Sequence, residues 1–139
     1  MIVLALAPST SSTGWAVLDA AVVLDAGQGE PEAAILAAFE ALPRAPDRCA
    51  IERAFIGGGP SALPGRAAST LRLAETAGFL RGLVRATYYD ATYWTPLASE
   101  VRAILGIKGA TRKRDDINAA VVEWARARTG LRLTLGEAD

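Results

Sequence analysis

A chain of 139 residues, 51% hydrophobic and 22% charged, has fifteen basic and fifteen acidic side chains, one cysteine and no histidine. That length supports one compact core and not two, no apolar run nears the roughly 20 residues that span a bilayer, and the start lacks the basic region and cleavage pattern of a secretory leader, so a single-domain cytoplasmic protein over residues 1–139 is expected. Without histidine the usual zinc ligand sets and the Ser-His and Cys-His nucleophile pairs are excluded, and the lone Cys49 cannot close an intramolecular disulfide.

Residues 2–6 are a short apolar run with branched side chains, stopped by Pro8 and the cluster Ser9-Thr10-Ser11-Ser12-Thr13; they predict a buried central strand. A second run over 15–18 follows a turn too short for a crossover helix, which predicts a hairpin. Residues 21–25 predict a third antiparallel strand, closed by Gly27 and Gly29. Pro31 suits the first position of a helix, whose apolar stripe is Ile35, Leu36, Phe39 and Leu42 and whose end is Pro43. Residues 43–48 read as a linker. The run Cys49-Ala50-Ile51-Glu52 is a short strand that delivers an acid at its end, with Arg53-Ala54-Phe55 behind it. Taken alone, residues 2–7 also read as an ordinary core strand, Glu52 as a solvated strand end and Phe55 as a core aromatic.

Residues 57–65, rich in glycine and proline, predict a loop beside Glu52, either a mobile segment that meets a substrate or a tolerated surface insertion. A helix over 67–86 follows, with Leu73, Ala77, Leu80 and Val84 along one face. Ala74, Gly78 and Gly82 recur every four residues beside them. Glycine inside a helix costs about 1 kcal/mol relative to alanine, so the stripe predicts a close neighbour, either a second copy of the chain or this domain's own sheet. Residues 87–93 predict the fifth strand, and Thr95-Pro96 a helix start whose core residues are Val101, Ile104 and Leu105. Residues 101–114 contain no acid but hold Arg102, Lys108, Arg112, Lys113 and Arg114, a basic stretch whose glycine-hinged turn leads into a helix start that attracts phosphate. That last helix carries Ile117, Val121 and Trp124 on one face and ends at Gly130. The bias for arginine over lysine suits phosphate recognition, and equally a GC-rich genome.

The frame Leu4-Ala5-Leu6, Pro8-Ser9 and Thr13-Gly14-Trp15 resembles the first motif of RuvC-type Holliday junction resolvases of the RNase H-like superfamily: a buried strand, Asp-Pro-Gly/Ser, small residues, then Thr-Gly-aromatic. Ala7 stands where that family has its first catalytic aspartate. An engineered Asp→Ala exchange that traps an enzyme with uncut DNA and a natural loss in a protein that only binds both fit, and the intact frame favours the exchange. The segment from Cys49 to Glu52, with Phe55, resembles the second motif. Gly136-Glu137-Ala138-Asp139 resembles the third, in which an acid or histidine, two residues and an aspartate open the last helix. Asp139 matches the aspartate, Gly136 occupies the other acid's place, and Glu137 substitutes for it only if the turn is shifted. The chain stops where that helix would begin, so a truncation is expected.

The resemblance implies an α/β fold of RNase H-like type: a five-stranded mixed sheet, three antiparallel strands then parallel ones, flanked by helices. It implies Mg²⁺, replaceable by Mn²⁺, held by Glu52, Asp139 and an acid at position 7, with Glu137 a further catalytic candidate. Two such ions activate water and stabilise the leaving oxygen when a phosphodiester is hydrolysed. It implies a four-way DNA junction as partner and a homodimer as the active form. Arg53, Phe55, Arg66, Arg72, Lys108, Arg112, Lys113 and Arg114 are the candidate DNA contacts. With Ala7 in place the chain is expected to bind branched DNA and to cut it poorly or not at all. Two further readings stand beside this one. The first is a junction-binding protein with no catalytic past. The second is an actin-like or sugar-kinase-like ATPase, whose phosphate loop residues 8–14 also resemble, although such enzymes need two domains of this kind.

Overall fold

The computed structural model describes residues 1–53, 64–104 and Glu123, with the backbone alone for 64–67. The elements run β1 (Ile2–Ala7), β2 (Thr13–Asp19), β3 (Val22–Gly29), α1 (Pro31–Ala41), β4 (Arg48–Ile51), α2 (Pro64–Thr87), β5 (Thr92–Trp94) and α3 (Ala98–Ile104). The expected basic turn and last helix, together with Phe55, the side chain of Arg66, Lys108, Arg112, Lys113, Arg114, Glu137 and Asp139, lie outside the described residues.

The five strands form one sheet in the order β3-β2-β1-β4-β5. The β1–β2 and β2–β3 pairs are antiparallel, as their short connections require, while β4 and β5 each follow a helix and join in parallel. Alternation along β1 turns Ile2, Leu4 and Leu6 to one face of the sheet, where Trp15, Val17, Cys49 and Ile51 join them. Ala34, Ile35 and Ala38 of α1 and Leu80 and Val84 of α2 close that face into the core.

Asp47 ties the sheet together at the amino ends of its parallel strands. Its carboxylate accepts the Ile2 amide and an Arg44 guanidinium proton, each at 2.8 Å. Its own amide donates to the Ile2 carbonyl and its carbonyl accepts from Thr92, both at 2.9 Å. The segment read as a linker is therefore the junction of β1, β4 and β5.

Several boundaries depart from the sequence expectation. The third strand runs past Asp25 to Gly29 because Gly27 lies opposite Trp15, where an added Cβ would come within 2.9 Å of the indole. Here glycine is a packing requirement within the strand and not a stop. Leu36 is 59% exposed, and the buried stripe of α1 is formed by Ala34, Ile35 and Ala38. Pro64 and Gly65, expected in the loop, open α2, a place where proline has no helical hydrogen bond to lose. At the other end α2 continues to Thr87, so β5 is only Thr92–Trp94. The Tyr93 hydroxyl fixes that end, donating to the Tyr88 carbonyl at 2.7 Å and lying 3.1 Å from that of Val84. Helix α3 begins after Leu97, not at Thr95, because Pro96 and Leu97 are drawn alongside β4: the Arg53 amide donates to the Pro96 carbonyl at 2.7 Å. Ile104, expected in the core, is 69% exposed, and Val101 is half-buried. Among the described residues no helix is long and apolar enough to cross a membrane.

Candidate functional site

The parallel strands β1, β4 and β5 lie side by side, and their carboxyl ends open onto one rim of the sheet. In open α/β sheets that rim is where ligands bind. Ala7 ends β1 and Glu52 follows β4, with the Glu52 amide donating to the Leu6 carbonyl at 3.0 Å, so position 7 and Glu52 are brought to neighbouring strand ends. Both line one cavity of about 280 Å³, together with Ala5, Ala16, Ala50 and Trp94.

A buried hydroxyl sets the turn that follows Ala7. Thr13, 0% exposed, donates to the Ser9 carbonyl at 3.0 Å and accepts the Ser9 amide at 3.1 Å. The Ser9 hydroxyl in turn accepts the amides of Ser11 and Ser12 at 3.4 Å. This explains the Ser/Thr cluster locally: short polar side chains satisfy a turn that has no strand to pair with.

On the other side of Glu52 lies a second cavity of about 440 Å³, lined by Pro8, Arg53, Leu73, Ser99 and Arg102 among others. Arg53 is held there through both backbone and side chain. It bridges to Leu97, and its guanidinium lies 3.9 Å from a carboxylate oxygen of Glu100. Glu100 also accepts the Leu97 amide at 2.8 Å, capping α3 from within its first turn. Both partners of the Arg53–Glu100 pair are about half exposed, so the contact is worth less than about 1 kcal/mol and yields readily to another anion.

Of the expected contacts, Arg53 faces this basin, whereas Arg72 is exposed on α2 and lines neither cavity. Arg102, Ser99 and Trp94 were not singled out as site residues, yet all three line the cavities. For Arg102 the signal was its place in the acid-free stretch. For Trp94 there was none, since a tryptophan ending a three-residue strand looks like core.

A divalent ion needs several oxygen donors. Here position 7 offers a methyl group, and among the described residues no three acidic, histidine or cysteine side chains come together. The described residues therefore do not fit such an ion.

No protein-family model matches the chain, and no curated protein does. Among solved structures, T. thermophilus RuvC in complex with Holliday junction substrate is similar over 100% of this chain and 87% of its own, at 14% sequence identity and a TM-score of 0.65. The fold is that of RuvC. A further Thermus thermophilus RuvC structure is similar over 99% of this chain and 91% of its own, at 17% identity and a TM-score of 0.49. The expected mixed RNase H-like sheet is thus found, and within the RuvC fold β1 and β4 are neighbours.

Proposed function

We propose that this chain binds four-way DNA junctions as a Holliday junction resolvase whose cutting function is silenced at position 7. The observation that carries the reading is the meeting of Ala7 and Glu52 at adjacent strand ends, beside a basin holding Arg53 and Arg102, in a chain with the RuvC fold. The RuvC structure it resembles over its whole length holds a junction substrate.

A phosphate entering the basin meets Arg102 directly and competes with Glu100 for Arg53. Guanidinium groups suit that exchange because their planar fork matches carboxylate and phosphate alike. Arg66, Arg72, Lys108, Arg112, Lys113, Arg114 and Phe55 extend the contact along the DNA in this reading, and Glu137 and Asp139 complete the acidic set. The partner is branched DNA, bound by a homodimer that places two such rims on one junction.

Among the described residues Glu52 is the one carboxylate beside position 7, and no hydrolytic step is assigned to this rim. A carboxylate at position 7 would stand beside Glu52 and give the rim the pair that a divalent ion requires. The test is a synthetic four-way junction offered to this chain and to Ala7→Asp. Both should retard the junction more strongly than linear duplex of equal length, and only Ala7→Asp should nick it when Mg²⁺ or Mn²⁺ is added. Equal affinity for junction and duplex would overturn the junction reading. Persistent inactivity of a folded, junction-binding Ala7→Asp protein would favour a binding protein with no catalytic past, the reading that a native alanine at this position supports.

A further inference from the structure

Glu100 uses its two carboxylate oxygens for different tasks. Oε2 accepts the Leu97 amide at 2.8 Å, and the Glu100 amide donates back to the Leu97 carbonyl at 3.0 Å, so this carboxylate is fixed to the first turn of α3 independently of Arg53. Oε1 lies 3.9 Å from the Arg53 guanidinium. Arg53 is fixed by its backbone, since its amide donates to the Pro96 carbonyl at 2.7 Å and it bridges to Leu97. An anchored acid thus faces a cation whose main chain is anchored and whose long side chain is half-exposed.

We propose that Glu100 is a built-in competitor of DNA phosphate: it pairs with Arg53 in the free protein, gives it up when a phosphate enters the basin, and stays on α3 to take it back, which shortens the life of the complex. The inference rests on the DNA-binding reading and adds to it the residue that sets how long the DNA remains.

Charge, strength and tethering support this role. The described lining of the basin has two cations, Arg53 and Arg102, against one acid, Glu52, and Glu100 brings the signs into balance. Neutralising Glu100 therefore leaves a surplus cation where phosphate would sit. The Arg53–Glu100 pair is long and half-exposed, while an arginine fork grips a phosphate through two parallel hydrogen bonds, so the phosphate can displace the carboxylate. A displaced acid held by a helix cap does not diffuse away, and its effective concentration beside Arg53 stays that of a tethered group. Each time the phosphate contact opens, the carboxylate can close on the guanidinium before the phosphate returns. An acid that merely repelled DNA from the rim would slow association instead.

The test compares the full chain with Glu100→Gln, Arg53→Gln and the double variant. Glutamine keeps an oxygen for the Leu97 amide and loses the charge, so the cap of α3 survives and the melting transition should not move. Association and dissociation rates are measured by stopped-flow fluorescence anisotropy at one fixed salt concentration, with a labelled four-way junction and a linear duplex as probes. Glu100→Gln should tighten binding to both by a factor of about 2 to 5, the range open to a half-exposed ion pair, and the gain should lie in slower dissociation. Added to Arg53→Gln, the same exchange should leave the dissociation rate where it was, because no guanidinium is left to compete for.

An affinity unchanged or lowered by Glu100→Gln would overturn the competitor. So would a gain that sits in the association rate and persists without Arg53, since the acid would then act on DNA from a distance. Either result leaves the junction reading intact as long as the junction is bound more tightly than the duplex. Equal binding of junction and duplex, with dissociation slowed only where Arg53 is present, would keep the competitor and discard the junction reading. No binding of either DNA by any of the proteins would end both.

Discussion

Position 7 and Glu52 stand within one small cavity, and what surrounds them decides whether DNA can approach. Arg102 reaches that neighbourhood from α3, and Arg53 reaches it from the end of β4. Both side chains would act on the sugar–phosphate backbone, which is common to every sequence. Arg102→Ala should therefore weaken junction and duplex binding by similar factors and lower the slope of log affinity against log salt by about one, as expected when one phosphate contact is lost. Titrations at several salt concentrations provide the measurement. An unchanged slope would remove Arg102 from the DNA contact. Arg53 differs because its guanidinium already has a carboxylate neighbour in Glu100, so part of what it gains from phosphate offsets what it gives up.

At the scale of single elements, α2 is the most two-sided. Ala77, Leu80 and Val84 are buried, the last two within the core cluster that the sheet forms, while a Cβ built on Gly78 or Gly82 meets no atom within 4 Å. The domain's own sheet is therefore not what the glycine stripe approaches. Leu71 and Phe79, 59% and 52% exposed, extend the same helix's outward apolar surface. If a second copy packs here, Gly82→Leu should shift the sedimentation or light-scattering mass from dimer to monomer without lowering the melting temperature of the monomer. A mass that does not move places the homodimer elsewhere.

Much of this architecture could be read before any coordinates. Periodicity gave the core face of α2, and chain spacing gave the antiparallel hairpins, because both depend on local pattern alone. The misplaced ends share a different cause. Gly27 looked like a stop because its partner Trp15 is twelve positions away, and the late start of α3 depends on Arg53 catching the Pro96 carbonyl across the sheet. Trp94 carries no local signal for the same reason, since the cavity it lines exists only once β4 and β5 are side by side, whereas Arg102 stands out already in its acid-free stretch. The strand that delivers Glu52, in contrast, was legible as a run of apolar residues with an acid at its tip.

For the molecule as a whole, the acid-sensitive contact among the described residues is that of Asp47. The Arg44 guanidinium, then the Ile2 amide, hold its carboxyl down at about 2, below the ordinary range near 4. A carboxyl whose folded value is depressed stabilises the native state fully above its unfolded value, and that stabilisation is lost as pH falls through the folded one. Asp47→Ala should thus be less stable than the parent at neutral pH, and the difference should shrink steadily from about pH 4 towards pH 2. Urea unfolding curves over that range are the check, and a difference independent of pH would show that the carboxylate is not what binds the three strands. Alkali should act through a second group. Burial pushes the Tyr93 hydroxyl up to about 12, so its contribution, complete below its ordinary value near 10, fades as pH rises through the folded one.

Asp47 and Glu52 stand at opposite ends of the same short strand, the first fastening the sheet and the second lining the two cavities at the far rim. Hardening this protein and redirecting it are consequently separate engineering problems. Reinforcement can be introduced at the lower rim, around Arg44 and Thr92, while the upper rim stays free to be given acids or altered arginines.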